Sequence, residues 1–192
     1  MPLPLRPKLS RVTTLPRRHL GRLALLGLFA AACSRGSGGE DAKAPAFPEY
    51  SGADALTFDD VLAPALFGFD PQARDPATDP KLRDRVRRAD YVMPARVDSL
   101  SRGGGGYELT LSATGPALAG DHAGPIVLFV PIGSPSYAWI DGAGPSFAGS
   151  RLIVLCKTFR DSDDQIVHFR GEPDTPSVRK AIERDAALRL LR

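Results

Sequence analysis

Cysteine and histidine are scarce in this chain of 192 residues. The two cysteines, Cys33 and Cys156, can form at most one disulfide, which excludes the small secreted domains that a disulfide framework holds together. There are three histidines, and neither His122 nor His168 has the i, i+4 partner or cysteine pair of a zinc site. The sequence therefore predicts no metal site and no cofactor.

Acidic residues are absent from positions 1–32, which hold six of the 25 lysines and arginines. From Cys33 onward, acids outnumber bases by three. The sequence pI of about 9.1 therefore belongs to the N-terminal segment and does not indicate a nucleic-acid partner. With 43% apolar and 24% charged residues, the chain has the composition of a globular protein.

Long hydrophobic runs are also missing. The best candidate is the uncharged stretch 23–32, which as a helix would be about 15 Å long, roughly half of a bilayer's hydrocarbon core. A basic segment, a short apolar segment and small residues at its exit are the parts of a secretory signal. We therefore predict that residues 1–32 are a signal peptide.

The residues at the end of this segment resemble the lipobox of bacterial lipoproteins: Leu28-Phe29-Ala30-Ala31-Ala32-Cys33. The resemblance, which covers residues 1–33 only, implies cleavage between Ala32 and Cys33 and lipid on the sulfur and amino group of Cys33. Ser34 resembles the outer-membrane sorting pattern, which implies a lipid-anchored protein of the outer membrane that faces the periplasm. The alternative is an ordinary signal peptide and a soluble secreted protein.

A second export signal overlaps the first. Arg17-Arg18, followed by Leu20 and Arg22, resembles a twin-arginine motif, whereas a basic signal segment often contains adjacent arginines by chance. The sequence does not decide between the two export routes.

The stretch after Cys33 is rich in Gly, Ser, Ala, Pro and charge, so it cannot bury enough surface to offset its ordering entropy. We predict a flexible tether over 33–55 and one domain over 56–192.

Period-two alternation predicts a mainly β domain of α+β character. Strands are expected at 91–97 and 107–113 around the turn Gly103–Gly106, with further short strands at 126–130, 137–140, 152–159 and 166–169. Helix starts are indicated at Thr57–Asp60, at Asp79-Pro80 and at Thr175-Pro176, the last of which opens a C-terminal helix. The layout resembles a small antiparallel barrel of five or six strands, similar to the oligonucleotide/oligosaccharide-binding (OB) fold, although an open sheet is an alternative.

The short motifs that suggest catalysis are incomplete. Ser177-Val178-Arg179-Lys180 has the S-x-x-K spacing of penicillin-binding enzymes without their other motifs, and Gly144–Ala148 lacks the strand before it that a nucleophile elbow needs. We interpret Asp161–Asp164 as a hairpin turn rather than a calcium loop. Cys156 lies in an apolar run and is expected in the core, and the arginines between 83 and 88 are expected on a solvated helix face.

Two sets of residues remain as candidates for function. The first is a barrel rim formed by Tyr137, Trp139 and His168, where aromatic rings would bind a ligand. The second is a histidine, His122 or His168, acting in catalysis with an aspartate such as Asp121 or Asp174. No catalytic residue is assigned.

The sequence thus predicts a lipid-anchored envelope protein with a non-catalytic domain that binds an envelope protein or a glycan. It favours no nucleic-acid partner. The alternatives are a small envelope hydrolase that uses His122 or His168, and a purely structural accessory of an assembly.

Overall fold

A computed structural model describes residues 47–69, 74–161 and 164–191. The predicted signal peptide, the lipidation site Cys33 and most of the predicted tether lie outside the described residues. Among the described residues, no helix is both long and apolar enough to cross a membrane.

The domain is mainly β with α+β character, which confirms the predicted fold class. Its helices are α1 (Gly52–Ala55), α2 (Pro80–Arg88), α3 (Pro135–Ala143) and α4 (Pro176–Leu190). Its strands are β1 (Val61–Leu62), β2 (Tyr91–Gly103), β3 (Gly106–Ala113), β4 (Ile126–Pro131), β5 (Arg151–Asp161) and β6 (Asp164–Pro173). Short 3-10 helices lie at Pro64–Phe67 and Gly144–Phe147.

The strands form one curved sheet, a half-barrel, in the order β1-β6-β5-β2-β3-β4. The sheet is mixed rather than wholly antiparallel, because β1 pairs with β6 in parallel, Val61 with Arg170 and Leu62 with Gly171. The other pairs are antiparallel, and the tip at Gly103–Gly106 joins β2 to β3 as predicted. A register shift between Val97 and Ser99 leaves Asp98 as the extra residue of a bulge in β2.

Hydrophobic side chains cover both faces of the sheet, because period-two alternation sends successive residues to opposite sides. On one face, Val154 and Cys156 of β5 belong to a core that also includes Leu109, Leu128 and Phe169. On the other, Ile153 and Leu155 of the same strand pack with residues of α2 and α4: Leu82, Val86, Val178 and Ile182.

Two of the three predicted helix starts are correct. The side chain of Asp79 accepts a hydrogen bond from the Lys81 N–H at 2.9 Å, and that of Thr175 accepts one from the Val178 N–H at 3.3 Å. Pro80 and Pro176 follow these caps at the first helical position, where a missing N–H costs nothing.

Two predictions of secondary structure were wrong: the strand at 137–140 and the helix start at Thr57–Asp60. Residues 137–140 belong to helix α3 instead of a strand, because Ser134 caps this segment and Pro135 occupies its first helical position. Thr57–Asp60 do not begin a helix; α1 precedes them, and Ser51 and Asp54 form its capping box.

Part of the predicted tether lies against the sheet. The Pro48 carbonyl accepts a hydrogen bond from the Arg160 N–H at 2.8 Å, and the Tyr50 hydroxyl donates to the Phe58 carbonyl at 2.8 Å. Asp54, which is buried, forms an ion pair with Arg88. The folded domain therefore begins upstream of residue 56.

Candidate functional site

Helix α3 is attached to the sheet edge by a buried hydrogen bond. The Leu62 N–H of β1 donates to the Ser136 hydroxyl at 2.7 Å, and Ser136 is completely buried. Ile140, one turn further along, points into the core. These two contacts fix the rotation of α3 about its axis. The directions in which the other side chains of the helix point are therefore fixed as well.

On one side of α3, aromatic rings line an apolar cleft. The Phe67 ring stacks on Phe147 at a centroid distance of 4.8 Å and lies 5.7 Å from the Trp139 ring. The cleft has a volume of about 510 Å³, and Leu66, Phe69, Ala143 and Ser146 also line it. Phe69 is 58% exposed, which is unusual for so large an apolar side chain. Aromatic rings at these distances pack favourably, so the side chains that form the wall of the cleft are held in place.

On the other side of α3, an arginine lies between two tyrosines. The Arg102 guanidinium lies 5.9 Å from the Tyr107 ring centroid and 5.7 Å from that of Tyr137, within the range of cation–π attraction. Asp141 accepts hydrogen bonds from the Tyr107 hydroxyl at 2.8 Å and from Arg102 at 3.1 Å. The hydrogen bond to Asp141 raises the pKa of Tyr107, so this tyrosine stays neutral. A second cleft, of about 330 Å³, adjoins this cluster.

We call these two clefts and the helix between them the α3 surface; its aromatic and arginine members are Phe67, Phe69, Arg102, Tyr107, Tyr137, Trp139 and Phe147. Two members of the predicted rim, Tyr137 and Trp139, lie on it. Trp139 lines the larger cleft, whereas Tyr137 packs beside Arg102 and Tyr107, because residues two positions apart on a helix point about 200° apart.

The third member of the predicted rim, His168, makes its contacts elsewhere. It lies on β6, where its ring stacks in parallel on Tyr50 at 3.6 Å and meets the Phe159 ring edge-on. Its Nδ1 atom lies 2.7 Å from a carboxylate oxygen of Asp60. Within the described part of the chain, Nε2 of His168 has no hydrogen-bond partner.

Asp60 orients His168, whereas we expected Asp121 or Asp174. The other carboxylate oxygen of Asp60 accepts from the Phe169 N–H at 3.0 Å, so the aspartate is fixed at both oxygens. An aspartate on Nδ1 favours the tautomer whose Nε2 is a free base. Asp174, by contrast, accepts hydrogen bonds from Arg179 that keep its pKa below the ordinary value.

The second histidine, His122, is an unsuitable base. Its ring stacks on Tyr91 at 4.4 Å, and its Nε2 atom is buried without a partner in the described structure. A histidine exchanges a proton with a substrate only through a ring nitrogen that the substrate can reach, and Nε2 of His122 is out of reach because it is buried. The structure therefore favours His168 over His122.

Cys156 is a core residue, as predicted. It is completely buried in β5, and this burial raises the pKa of its thiol to about 12. A thiol with so high a pKa is inert as a nucleophile.

The sequence predicts that the arginines of α2 lie together on one solvated face, and this prediction is wrong. Arg85 is 6% exposed and forms an ion pair with Glu172, and Arg88 pairs with Asp54. Of the four arginines, which lie at positions 83, 85, 87 and 88, only Arg87 is exposed and has no ion-pair partner within the described residues. Sequence reasoning missed the buried role of Arg85, whose position three residues after Leu82 and one before Val86 on the helix was the available signal.

Among the described residues, no general base forms a hydrogen bond with the serine of either incomplete catalytic motif. In the described part of the chain, the Ser177 hydroxyl forms a hydrogen bond only with the Thr175 hydroxyl, at 3.1 Å, and Lys180 is exposed. The Ser146 hydroxyl donates to the carbonyl of Ala143 at 2.6 Å. Among the residues at 47–69, 74–161 and 164–191, no cluster of three or more His, Cys, Asp or Glu could hold a metal ion.

Comparison with known proteins adds no relative: no family model, no curated protein and no solved structure matches this chain.

Proposed function

We propose that this chain is a lipoprotein of the cell envelope, anchored through Cys33 to the outer membrane and facing the periplasm. The basic segment, the short apolar run and the lipobox at residues 28–33 support the anchor. Mass spectrometry of the intact protein from its host's membranes tests it. A mass equal to residues 33–192 plus acyl groups is expected, and cleavage without added lipid would refute the anchor.

We further propose that the domain binds a partner and is not an enzyme, and that the α3 surface is the binding site. The observation that carries this proposal is the clustering of seven aromatic and arginine side chains on the α3 surface, where six of them line the two clefts and Tyr137 packs beside Arg102 and Tyr107. Tyr, Trp and Arg dominate the energetics of protein interfaces, because they combine a large apolar area with a polar end. The larger cleft, of about 510 Å³, also has the size of a typical ligand site.

The chemistry of the larger cleft favours a protein partner over a glycan. Sugar hydroxyls need several fixed polar side chains for their hydrogen bonds, and the described lining of this cleft offers only the hydroxyls of Ser146 and Ser150 and the indole N–H of Trp139. Its other lining residues are aliphatic, aromatic or glycine. An apolar side chain of an envelope protein fits such a lining without leaving polar groups unpaired.

Photo-crosslinking in the living cell tests this site. A photoreactive residue at Ala138, which is exposed on α3 and lines the cleft, should form an adduct with an envelope protein. Trp139→Ala should reduce the adduct at least about tenfold, the loss typical of a hot-spot residue. Phe129→Ala is the matched control, because Phe129 is 52% exposed on β4 outside the α3 surface. Equal adduct yields in the two variants, both folded by circular dichroism, would exclude the site.

The contact between His168 and Asp60 favours one second candidate, a small envelope hydrolase. In such an enzyme, Asp60 would orient the imidazole at 2.7 Å, and Nε2 would act as the general base. His168→Asn discriminates between the two functions, because its amide nitrogen takes the place of Nδ1 and can still donate to Asp60 but cannot accept and release a proton. A hydrolase would lose its cellular phenotype in this variant, whereas a binding domain would keep it.

A further inference from the structure

A second cavity lies away from the α3 surface, where the end of β6 meets the starts of α2 and α4. Its volume is about 590 Å³. Arg170 and Glu172 of β6, Arg85 of α2 and Ser177 of α4 line it, as does Asp59. Most of these are charged groups with little exposure, which the packing of a small domain does not require.

Two guanidinium groups share one carboxylate oxygen in this cavity. Nε of Arg170 and one terminal nitrogen of Arg85 donate to the same Oε1 atom of Glu172, at 3.1 and 3.3 Å. Nε of Arg85 also donates to the Thr57 carbonyl at 3.0 Å, and Arg170 also donates to Asp59 at 3.1 Å. The second terminal nitrogen of each arginine has no protein partner within the described residues. Two nearly buried guanidinium groups, with side chains 7% and 14% exposed, thus retain unused donors.

The two arginines also repel each other. Burial lowers the pKa of Arg85, and the nearby charge of Arg170 lowers it further, against the opposing effect of Glu172. An anion that accepts from both arginines would relieve this repulsion. Three acids line the cavity: Asp59, Glu172 and the helix cap Asp79. Four bases line it: Arg74, Lys81, Arg85 and Arg170. The cavity therefore has one positive charge in excess.

Two further bases stand in the wall of the cavity. Lys81, in the first turn of α2, and Arg74 both line it and are exposed, so their charges can reach a ligand at its mouth. Lys81 shares its helix with Arg87, which is exposed and does not line the cavity. This difference within one helix provides a matched pair for an experiment.

We infer that this cavity binds a phosphoryl group of a small molecule or a lipid headgroup, with Arg85, Arg170 and Lys81 as donors. Three donor side chains line it from different elements. A phosphate ester is tetrahedral and presents its oxygens in several directions, three terminal ones in a monoester and two in a diester, whereas the two oxygens of a carboxylate lie in one plane. The cavity is larger than a lone phosphate needs, so the rest of the ligand has room beside the phosphoryl group. This activity is separate from partner binding at the α3 surface and does not depend on it.

Titration of the full chain in detergent tests the inference. The probes are inorganic phosphate, glycerol 3-phosphate as a monoester and glycerophosphoglycerol as a soluble diester headgroup, each followed by calorimetry at constant ionic strength. We expect saturable binding of at least one probe, with affinity reduced about tenfold in Lys81→Gln, which removes one charge from the wall of the cavity. Arg87→Gln removes one charge from the same helix and should change affinity less than twofold.

The pattern of probes identifies the source of the phosphoryl group. Preference for the monoester indicates a soluble phosphate ester, and preference for the diester indicates a phospholipid headgroup. Lys81 and Arg87 are both exposed, so both variants should remain folded, which thermal unfolding checks. Absence of saturable binding by all three probes at concentrations up to about 10 mM, which corresponds to very weak affinity, overturns the inference. An equal loss of affinity in Arg87→Gln also overturns it, since the effect would then be general surface charge.

Discussion

Asp60 is the one residue other than glycine with a positive φ in the described ranges, at 53°. A side chain in this left-handed conformation costs about 1 kcal/mol or more, and the cost persists only where other contacts offset it. Here the offset comes from one aspartate that bonds to two partners on β6, the His168 ring and the Phe169 N–H. The backbone adds a third contact, because the Asp60 N–H donates to the Phe169 carbonyl at 3.0 Å.

Substitution of Asp60 tests how these contacts offset the strain. Asp60→Ala keeps the unfavourable φ and removes both side-chain bonds, so we expect it to lower the free energy of unfolding by roughly 2–3 kcal/mol. Asp60→Asn tolerates the left-handed conformation and keeps an acceptor for Phe169, so its loss should stay below about 1 kcal/mol. Urea denaturation measures both. If the two variants lost the same free energy, the negative charge beside His168 and not the strain would account for the role of Asp60.

The buried thiol of Cys156 makes stability depend on alkaline pH. Its pKa rises from an ordinary value of 9.0 to about 12 in the folded domain, because burial disfavours the thiolate. The neutral thiol therefore stabilises the fold fully below pH 9, and this contribution is lost as pH rises through 12. Tyr50, whose pKa rises from 10.0 to about 12, acts in the same direction but at higher pH.

Comparison of wild type with Cys156→Ala between pH 8 and 10 isolates the thiol. We expect wild type to lose about 1 kcal/mol more free energy of unfolding than the variant over this interval. Urea denaturation at the two pH values is the measurement, with ionic strength held constant. Parallel losses in the two proteins would show that the thiol ionises in the folded state at its ordinary pKa.

Residue roles were predictable from the sequence where the neighbours along the chain decide them. Cys156 in an apolar run is an example, because the run itself forms a buried strand. The contact of His168 with Asp60 was not predictable, since 108 positions separate the two residues and only the pairing of β1 with β6 brings them together. The same reason explains why Arg85 was assigned to solvent, since its partner Glu172 is 87 positions away.

At the scale of elements, the run of glycines between β2 and β3 contains positions of different kinds. A Cβ atom at Gly106 would collide with the backbone carbonyl of Val130 on β4, whereas a Cβ atom at Gly104 would meet nothing within 4 Å. Gly106 thus allows the close approach of two backbones, while Gly104 contributes only flexibility to the turn.

Alanine at these two positions should separate the two roles. We expect Gly106→Ala to lower the free energy of unfolding by more than about 2 kcal/mol, because the β3–β4 pairing must shift to make room. Gly104→Ala should change it by less than about 0.5 kcal/mol in either direction. Thermal unfolding followed by circular dichroism is sufficient. Similar midpoints for the two variants would mean that β4 can move away from Gly106 at little cost.

Helix α3 was missed, although its signal was present. Ser134-Pro135 has the same form, a capping residue followed by proline, as the two pairs that correctly predicted α2 and α4. The competing signal was the short apolar run at 137–140, which fits a strand and a helix equally well over so few residues. Cap chemistry should have decided between them, because a strand does not need an acceptor for the N–H at its second residue.

At the scale of the whole molecule, the sequence predicted the fold class. It also predicted a candidate site whose residues differ from those that the structure brings together beside α3. The aromatic residues of α3 were identified, yet they were joined to His168 because a strand at 137–140 would have pointed all of them to one rim. Phe67 and Tyr107 were overlooked, since they reach the α3 surface from the segment after β1 and from β3. Only the curvature of the sheet, which closes the half-barrel around α3, brings these segments together.

The boundary of the domain is a further property of the whole molecule, and it can be tested by truncation. We expect a chain that begins at Phe47 to have the same free energy of unfolding as one that begins at Ser34, because within residues 47–69 the hydrogen bonds to the domain begin at Pro48. A chain that begins at Leu56 loses the stack of Tyr50 on His168 and the ion pair of Asp54 with Arg88.

We expect the shorter chain to lose about 3 kcal/mol, the sum of an aromatic stack and several partly buried polar contacts. Tyr50→Ala in the chain that begins at Phe47 is the control, and it should account for about half of this loss because the Tyr50 ring also packs against Phe159 at 5.0 Å. Urea denaturation of the four proteins gives the comparison. Equal stability of the chains that begin at Phe47 and Leu56 would restore the predicted tether of 33–55, because the stack of Tyr50 on His168 would then contribute nothing to stability.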